Sequence, residues 1–252
     1  MIILAVYNIK GGVGKTAAAV NLAYLAAAER KKTLLCDLDP QGSASFYFRI
    51  KPKVKTGLKI LVKGGKKLNS SIKATDYENL DLLPADFSFR NLDLILGQVK
   101  RSGRRLGKTL HTLKDDYDLI FLDCPPNITL VSENIFNTAD YLLVPIIPTT
   151  LSYRTFEKLL SFLHRKEFNR AQVLAFYSMV EYRKKMHQNF LDSMRQKYSQ
   201  LLKIPIPYSS VVEKMGIYRE PVPVRYPKTS AGLAYVALWK EIKKILIKNK
   251  EW

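Results

Sequence analysis

A glycine-rich loop set between two apolar segments constrains this chain more than any other feature. Residues 2–7 form a short, almost wholly apolar run, as expected of a strand covered on both faces. Residues 17–30 are rich in Ala and Leu and read as a helix. Between them lies Lys10-Gly-Gly-Val-Gly-Lys-Thr16. Strand, glycine loop and helix in that order are the context of a phosphate loop. Glycine lets backbone N–H groups approach phosphate oxygens with no Cβ in the way. The helix that follows points its positive end at the same anion. Lys15 is then placed to reach the β- and γ-phosphates of a nucleotide, and the Thr16 hydroxyl to ligate Mg²⁺.

The rest of the chain alternates in the same way. Residues 33–36, 80–83, 119–122, 141–144, 173–176 and 201–204 read as further strands, and 92–99, 155–165 and 189–198 as helices between them. Such alternation predicts an α/β fold: a doubly wound, mostly parallel sheet with helices on both faces. No repeat or low-complexity linker interrupts it, so one domain is expected over 1–252. Ligands of these sheets bind beyond the carboxyl ends of the strands. The loop, Asp37, Asp39 and Asp123 all fall just past a predicted strand end, on one edge.

Charge points to a partner. There are 41 Lys and Arg against 22 Asp and Glu, a formal +19. That excess exceeds what solubility needs and implies a polyanion, nucleic acid or an anionic membrane surface. It is clustered. Residues 49–73 hold nine Lys and Arg and no acid; Lys100-Arg-Ser-Gly-Arg-Arg-Leu-Gly-Lys108 is a second cluster; residues 183–252 carry fifteen Lys and Arg against five acids. Cys36 and Cys124 sit in apolar runs and fit neither a disulfide framework nor a zinc site. Neither a leader peptide nor a membrane-spanning run is read, and the expectation is a cytoplasmic protein.

The strict phosphate-loop pattern has glycine where this chain has Ile9, and a second lysine, Lys10, stands beside it. With Asn21-Leu-Ala23, Asp37-Leu-Asp-Pro-Gln-Gly42, Asp123-Cys-Pro-Pro126 and Ile206-Pro207, this deviant Walker A loop resembles those of the ParA/Soj-type partition ATPases, in the group that includes MinD and the nitrogenase iron protein. The resemblance covers essentially the whole chain. It implies ATP or ADP with Mg²⁺ as cofactors and the P-loop NTPase fold. Lys10, Gly11, Gly12, Val13, Gly14, Lys15, Thr16 and Ala17 would line the phosphates, and Pro207 the adenine. Thr16, Asp37 and Asp123 would form the metal site. Lys10, Lys15 and Asp39 would serve hydrolysis, with Asp39 orienting the attacking water and Lys10 reaching a partner subunit's nucleotide. A second cation at the γ-phosphate would also sense whether that group is present. Ala17 departs from the family's threonine, which removes one hydroxyl from the α-phosphate.

The resemblance further implies a homodimer formed on ATP binding, non-specific duplex DNA as a partner, a ParB-like adaptor and association with the nucleoid. No recognition module is evident, and the chain is expected to carry no DNA-reading extension. The family's DNA-binding arginine after Ile-Pro is absent, because that place reads Ser209-Ser-Val-Val212. Two rival classes remain: a MinD-like, membrane-associated positioning ATPase, and a metabolic ATP-dependent enzyme on the same scaffold. The first draws on the helix expected over Ser230–Lys248, whose apolar stripe could lie on a membrane. Docking of that stripe on the sheet, with no stable membrane association, is the expectation. The second would need an acceptor pocket with further acid/base residues, and none is read; His111, His164 and His187 form no pattern.

Overall fold

A computed structural model of the protein describes residues 1–51, 61, 65–85, 87–98, 102–168, 170–249 and 252. Residues 52–60 and 62–64 of the basic stretch 49–73, together with Lys100 and Arg101, therefore lie outside the described residues.

Among the described residues six strands run parallel: β1 (Ile2–Val6), β2 (Thr33–Asp37), β4 (Leu80–Leu83), β5 (Leu119–Asp123), β6 (Tyr141–Ile146) and β7 (Gln172–Tyr177). The two-residue β3 (Lys73–Ala74) pairs antiparallel with β4. The sheet order is β3-β4-β2-β5-β1-β6-β7. Longer helices connect the strands: α1 (Lys15–Ala28), α2 (Ser43–Tyr47), α3 (Lys66–Ser71), α4 (Leu92–Gly97), α5 (Arg105–Leu110), α6 (Leu130–Thr138), α7 (Thr150–Arg165) and α8 (Lys185–Lys197). Three four-residue turns of helix, α9 (Ser210–Glu213), α10 (Met215–Tyr218) and α11 (Val222–Arg225), precede the last helix, α12 (Ser230–Lys248).

The strands are apolar on both faces because both faces are covered. Ile3 and Ala5 of β1 pack with Leu106, Ile135, Phe136, Phe156 and Leu159 from α5, α6 and α7. Ile2, Leu4 and Val6 face the other way, into a core shared with α1 and α12. The period of two along one strand thus assigns its residues to two cores. Helix α1 is apolar all round for a related reason: the sheet lies on one side and α12 on the other. The stripe of α12 is docked there, with Tyr235, Leu238, Trp239, Ile242 and Leu246 buried at about 1.5–3 kcal/mol for each large side chain. Among the described residues no helix is long and apolar enough to cross a membrane.

One expected strand is absent. Residues 201–204 make a single bridge to Ala175, not a strand. Leu202 N donates to Ala175 O at 2.7 Å, but the next two amides turn away. Lys203 N and Ile204 N donate instead to the two carboxylate oxygens of Glu241 on α12, at 2.8 and 3.0 Å. Pro205 and Pro207 then follow, and neither has an N–H for a ladder.

Candidate functional site at the carboxyl edge of the sheet

The loop after β1 is pinned before it reaches its glycines. Asn8 Nδ2 donates to Pro145 O at 2.7 Å, and Asn8 Oδ1 accepts from Lys10 N at 2.9 Å. Gly12 and Gly14 have φ of 69° and 88°, a region that side chains resist. A Cβ on Gly14 would also stand 2.9 Å from Ser178 Oγ, so glycine is demanded there twice over. Val13 is buried and anchors the loop while Gly11 and Gly12 face solvent. Helix α1 begins directly after Gly14, and the unpaired amides of a helix's first turn are what an anion site uses.

Lys15 is 7% exposed, and its Nζ donates to Lys10 O at 3.2 Å. Burial lowers its pKa, while the neighbouring Asp123 and, less strongly, Asp39 act the other way. Behind it stand two fully buried carboxylates, Asp37 at the end of β2 and Asp123 at the end of β5, paired across the two strands. Asp37 Oδ2 accepts from Ser45 N and Ser45 Oγ, while its Oδ1 and both oxygens of Asp123 have no hydrogen-bond donor. Desolvation raises both pKa values, that of Asp37 to about 6 and that of Asp123 well above the usual carboxylate range, where the neighbouring Asp37 adds to the rise. The Thr16 side chain beside Asp123 offsets this only in part.

Three orphaned carboxylate oxygens in a buried place, with a hydroxyl beside them, are a costly arrangement unless a cation neutralises them. An all-oxygen donor set of this kind fits Mg²⁺. No cluster of three or more His, Cys, Asp or Glu surrounds a common point among the described residues. The chain therefore supplies part of a metal shell, and Mg²⁺ characteristically takes the remainder from waters and phosphates.

Asp39 lies beyond the end of β2, in a turn and half-exposed. The strand ends at Asp37 and does not continue to it. Asp39 Oδ1 accepts from Gln41 N at 3.0 Å. Lys10 Nζ donates to Ser152 Oγ at 3.2 Å, at the first turn of α7 in its own chain. Ala17 sits on the first turn of α1, and its carbonyl accepts from Asn21 Nδ2 at 2.7 Å. Pro207 bridges Val180, and the preceding Ser178 and Met179 lie against Gly14. The loop, the three aspartates and Pro207 thus share one edge. Ser45, Ser152 and Ser178 escape the sequence reading. Ser45 has a local signal, six residues beyond Asp39; Ser152 and Ser178 have none, because each meets the loop across more than a hundred residues.

A family model described as an AAA domain matches residues 1–174. The chain belongs to the AAA domain family. Within it, the resemblance to the ParA/Soj type is borne out across the whole length. The sporulation initiation inhibitor protein Soj of Bacillus subtilis is 27% identical over 246 residues, 95% of this chain and 97% of Soj. The fold recurs in a putative plasmid partition protein of Borrelia burgdorferi solved with AMPPNP, at TM-score 0.80 and 22% identity over 98% of this chain and 99% of that one. It recurs too in the cobyrinic acid a,c-diamide synthase of Mycobacterium smegmatis solved with an ATP analogue and magnesium, at TM-score 0.82 and 23% identity over 97% and 94%.

Proposed function

We propose that this AAA domain protein is a Mg²⁺-dependent ATPase whose 1–252 unit dimerises on ATP, binds duplex DNA without sequence preference and serves plasmid or chromosome partition. One observation carries the nucleotide reading: Lys15 and the orphaned oxygens of Asp37 and Asp123 converge behind a loop whose Gly12 and Gly14 are left-handed. Partition is supported by the full-length relatives, among them Soj and a Caulobacter vibrioides chromosome partitioning protein ParA at 28% identity over 95% of this chain.

In this reading the amides of Gly11 to Ala17 and the Lys15 ammonium bind the phosphates, Pro207 lies against the base, and Thr16, Asp37 and Asp123 hold the metal. When bound, Mg²⁺ neutralises charge on the transferring phosphoryl group. Asp39 leaves its turn to hold the attacking water in line. Lys10 releases Ser152 and crosses to the partner's nucleotide, so dimerisation depends on ATP. Two basic protomers then present their charge together, a ParB-like adaptor stimulates hydrolysis, and the dimer associates with the nucleoid in the cytoplasm. The test is light scattering and duplex anisotropy with ADP and with ATP, each with Mg²⁺ or EDTA. A dimer and DNA binding with Mg-ATP alone are expected. Equal behaviour in ADP and ATP removes the switch.

A further inference from the structure

The described part of the second basic cluster, residues 102–108, lies at the end of the sheet opposite the nucleotide edge. Arg104, Lys108 and His111 follow at i, i+4 and i+7 along one continuous helical stretch, 102–113, and so share a face. They line a cleft of about 760 Å³ with Arg170, Thr138 and Glu167. Apart from Ile3 in β1, its walls precede strands: α5 comes before β5, the end of α6 before β6, and Arg170 before β7.

This cleft is held rigid by the residues that look least functional in its sequence. A Cβ on Gly107 would stand 2.9 Å from the Thr138 hydroxyl, and one on Gly103 3.4 Å from Asn137 Nδ2. The two glycines therefore let the basic segment lie flat on α6. Asn134 Oδ1 accepts from Arg105 N and Leu106 N at 3.0 and 3.2 Å, and Asn137 Nδ2 donates to Gly103 O at 3.0 Å. Asn134 is itself tied to Leu130 O at 2.8 Å. Cations on a fixed backbone lose less entropy on meeting a phosphate strand than cations on a free loop.

Its charges are also free to act. Arg104 and Lys108 make no ion pair among the described residues, whereas Arg170 is paired with Asp140. Part of the larger basic region after Arg183 is neutralised within the chain: Lys184, Lys197, Arg225 and Lys243 are paired with Glu181, Glu157, Glu220 and Glu29. A paired lysine displaces fewer counterions from DNA than a free one.

We infer that the cleft along Arg104, Lys108 and His111 is a docking surface for the phosphate backbone of duplex nucleic acid. This rests on the DNA-binding reading above and names the surface for it. DNA there leaves the carboxyl edge free for nucleotide and for a second subunit. The experiment is anisotropy of a labelled duplex of arbitrary sequence at several salt concentrations, with Mg-ATP, on the full chain. Arg104→Ala/Lys108→Ala is compared with Lys240→Ala/Lys244→Ala on α12, and nucleotide binding of each is measured as a folding control. The first pair should weaken binding about tenfold or more and flatten the log–log salt slope by about two, one unit for each phosphate no longer neutralised. The second pair should leave the slope near wild type. A wild-type slope in Arg104→Ala/Lys108→Ala with intact nucleotide binding overturns the cleft alone, as does loss confined to the α12 pair. A wild-type protein that binds no duplex even at low salt removes the DNA-binding reading itself, and the cleft with it.

Discussion

Ser45 gives Asp37 two hydrogen bonds to one and the same oxygen, from its backbone N at 2.8 Å and its hydroxyl at 2.7 Å. The other oxygen of Asp37 is thereby left without a donor, beside the equally orphaned Asp123. Ser45 Oγ also accepts from Ala85 N at 3.0 Å, which ties α2 to the end of β4. Ser45 thus decides which oxygen of Asp37 is offered to a cation.

Ser45→Ala removes the hydroxyl from two buried partners, Asp37 Oδ2 and Ala85 N. A loss of about 1–3 kcal/mol is expected, together with weaker Mg²⁺ dependence of nucleotide binding. Ser45→Thr keeps the hydroxyl and should restore both. Thermal unfolding without nucleotide and a Mg²⁺ titration with ADP check this; an unaltered Mg²⁺ titration in Ser45→Ala contradicts it.

Lys15→Ala removes the buried cation from the loop. A charge-assisted interaction of about 3 kcal/mol corresponds to roughly a hundredfold loss of ATP affinity. Equilibrium dialysis or calorimetry reads it, and wild-type affinity would remove the phosphate-loop assignment.

Asp39→Ala should bind ATP but hydrolyse it slowly, by a factor of about a hundred or more. The mutant would persist as a dimer in ATP. Steady-state turnover and size-exclusion chromatography decide the matter; normal turnover gives Asp39 another task.

Lys10→Ala loses only a hydrogen bond to Ser152 within its own chain, so the monomer should keep its fold and bind ATP. Dimerisation in ATP should fail. If this mutant dimerises as the wild type does, Lys10 does not cross between subunits.

His187 is buried, and its Nδ1 accepts from Glu181 N at 3.0 Å. An accepting nitrogen must be unprotonated. Burial lowers the pKa, with Lys184 adding to the shift and Glu181 opposing it. A histidine lowered in the folded state takes up protons first in the unfolded state. Stability from this group is therefore full at neutral pH and declines as pH falls below about 6.5. Amide NMR should show the Glu181 signal moving in step with His187 titration below that value; titration at or above it would contradict the assignment.

The sequence by itself determined whatever is written in contiguous residues. A strand, a glycine loop and a helix are local, so β1, Gly12, Gly14, Lys15 and α1 were legible, as were Asp37 and Asp123 at strand ends. Alternation of strand and helix allowed only a mostly parallel sheet covered on both faces, and such a sheet brings those ends to one edge. Tertiary structure decided what depends on distant partners. Residues 201–204 have the composition of a strand, but Glu241 takes two of their amides and two prolines break the ladder. Ser152 meets Lys10 across 142 residues of chain. The α12 stripe could have faced lipid until α1 and Phe121 were found to cover it. Charge behaves likewise: composition gives +19, but only the folded chain shows that Lys243 is held by Glu29, while Arg104 and Lys108 have no ion pair among the described residues and stand on a backbone locked by Gly103, Gly107 and Asn134. Local pattern fixes backbone geometry, whereas the neutralisation of a charge or the burial of a stripe depends on which residues the fold brings alongside.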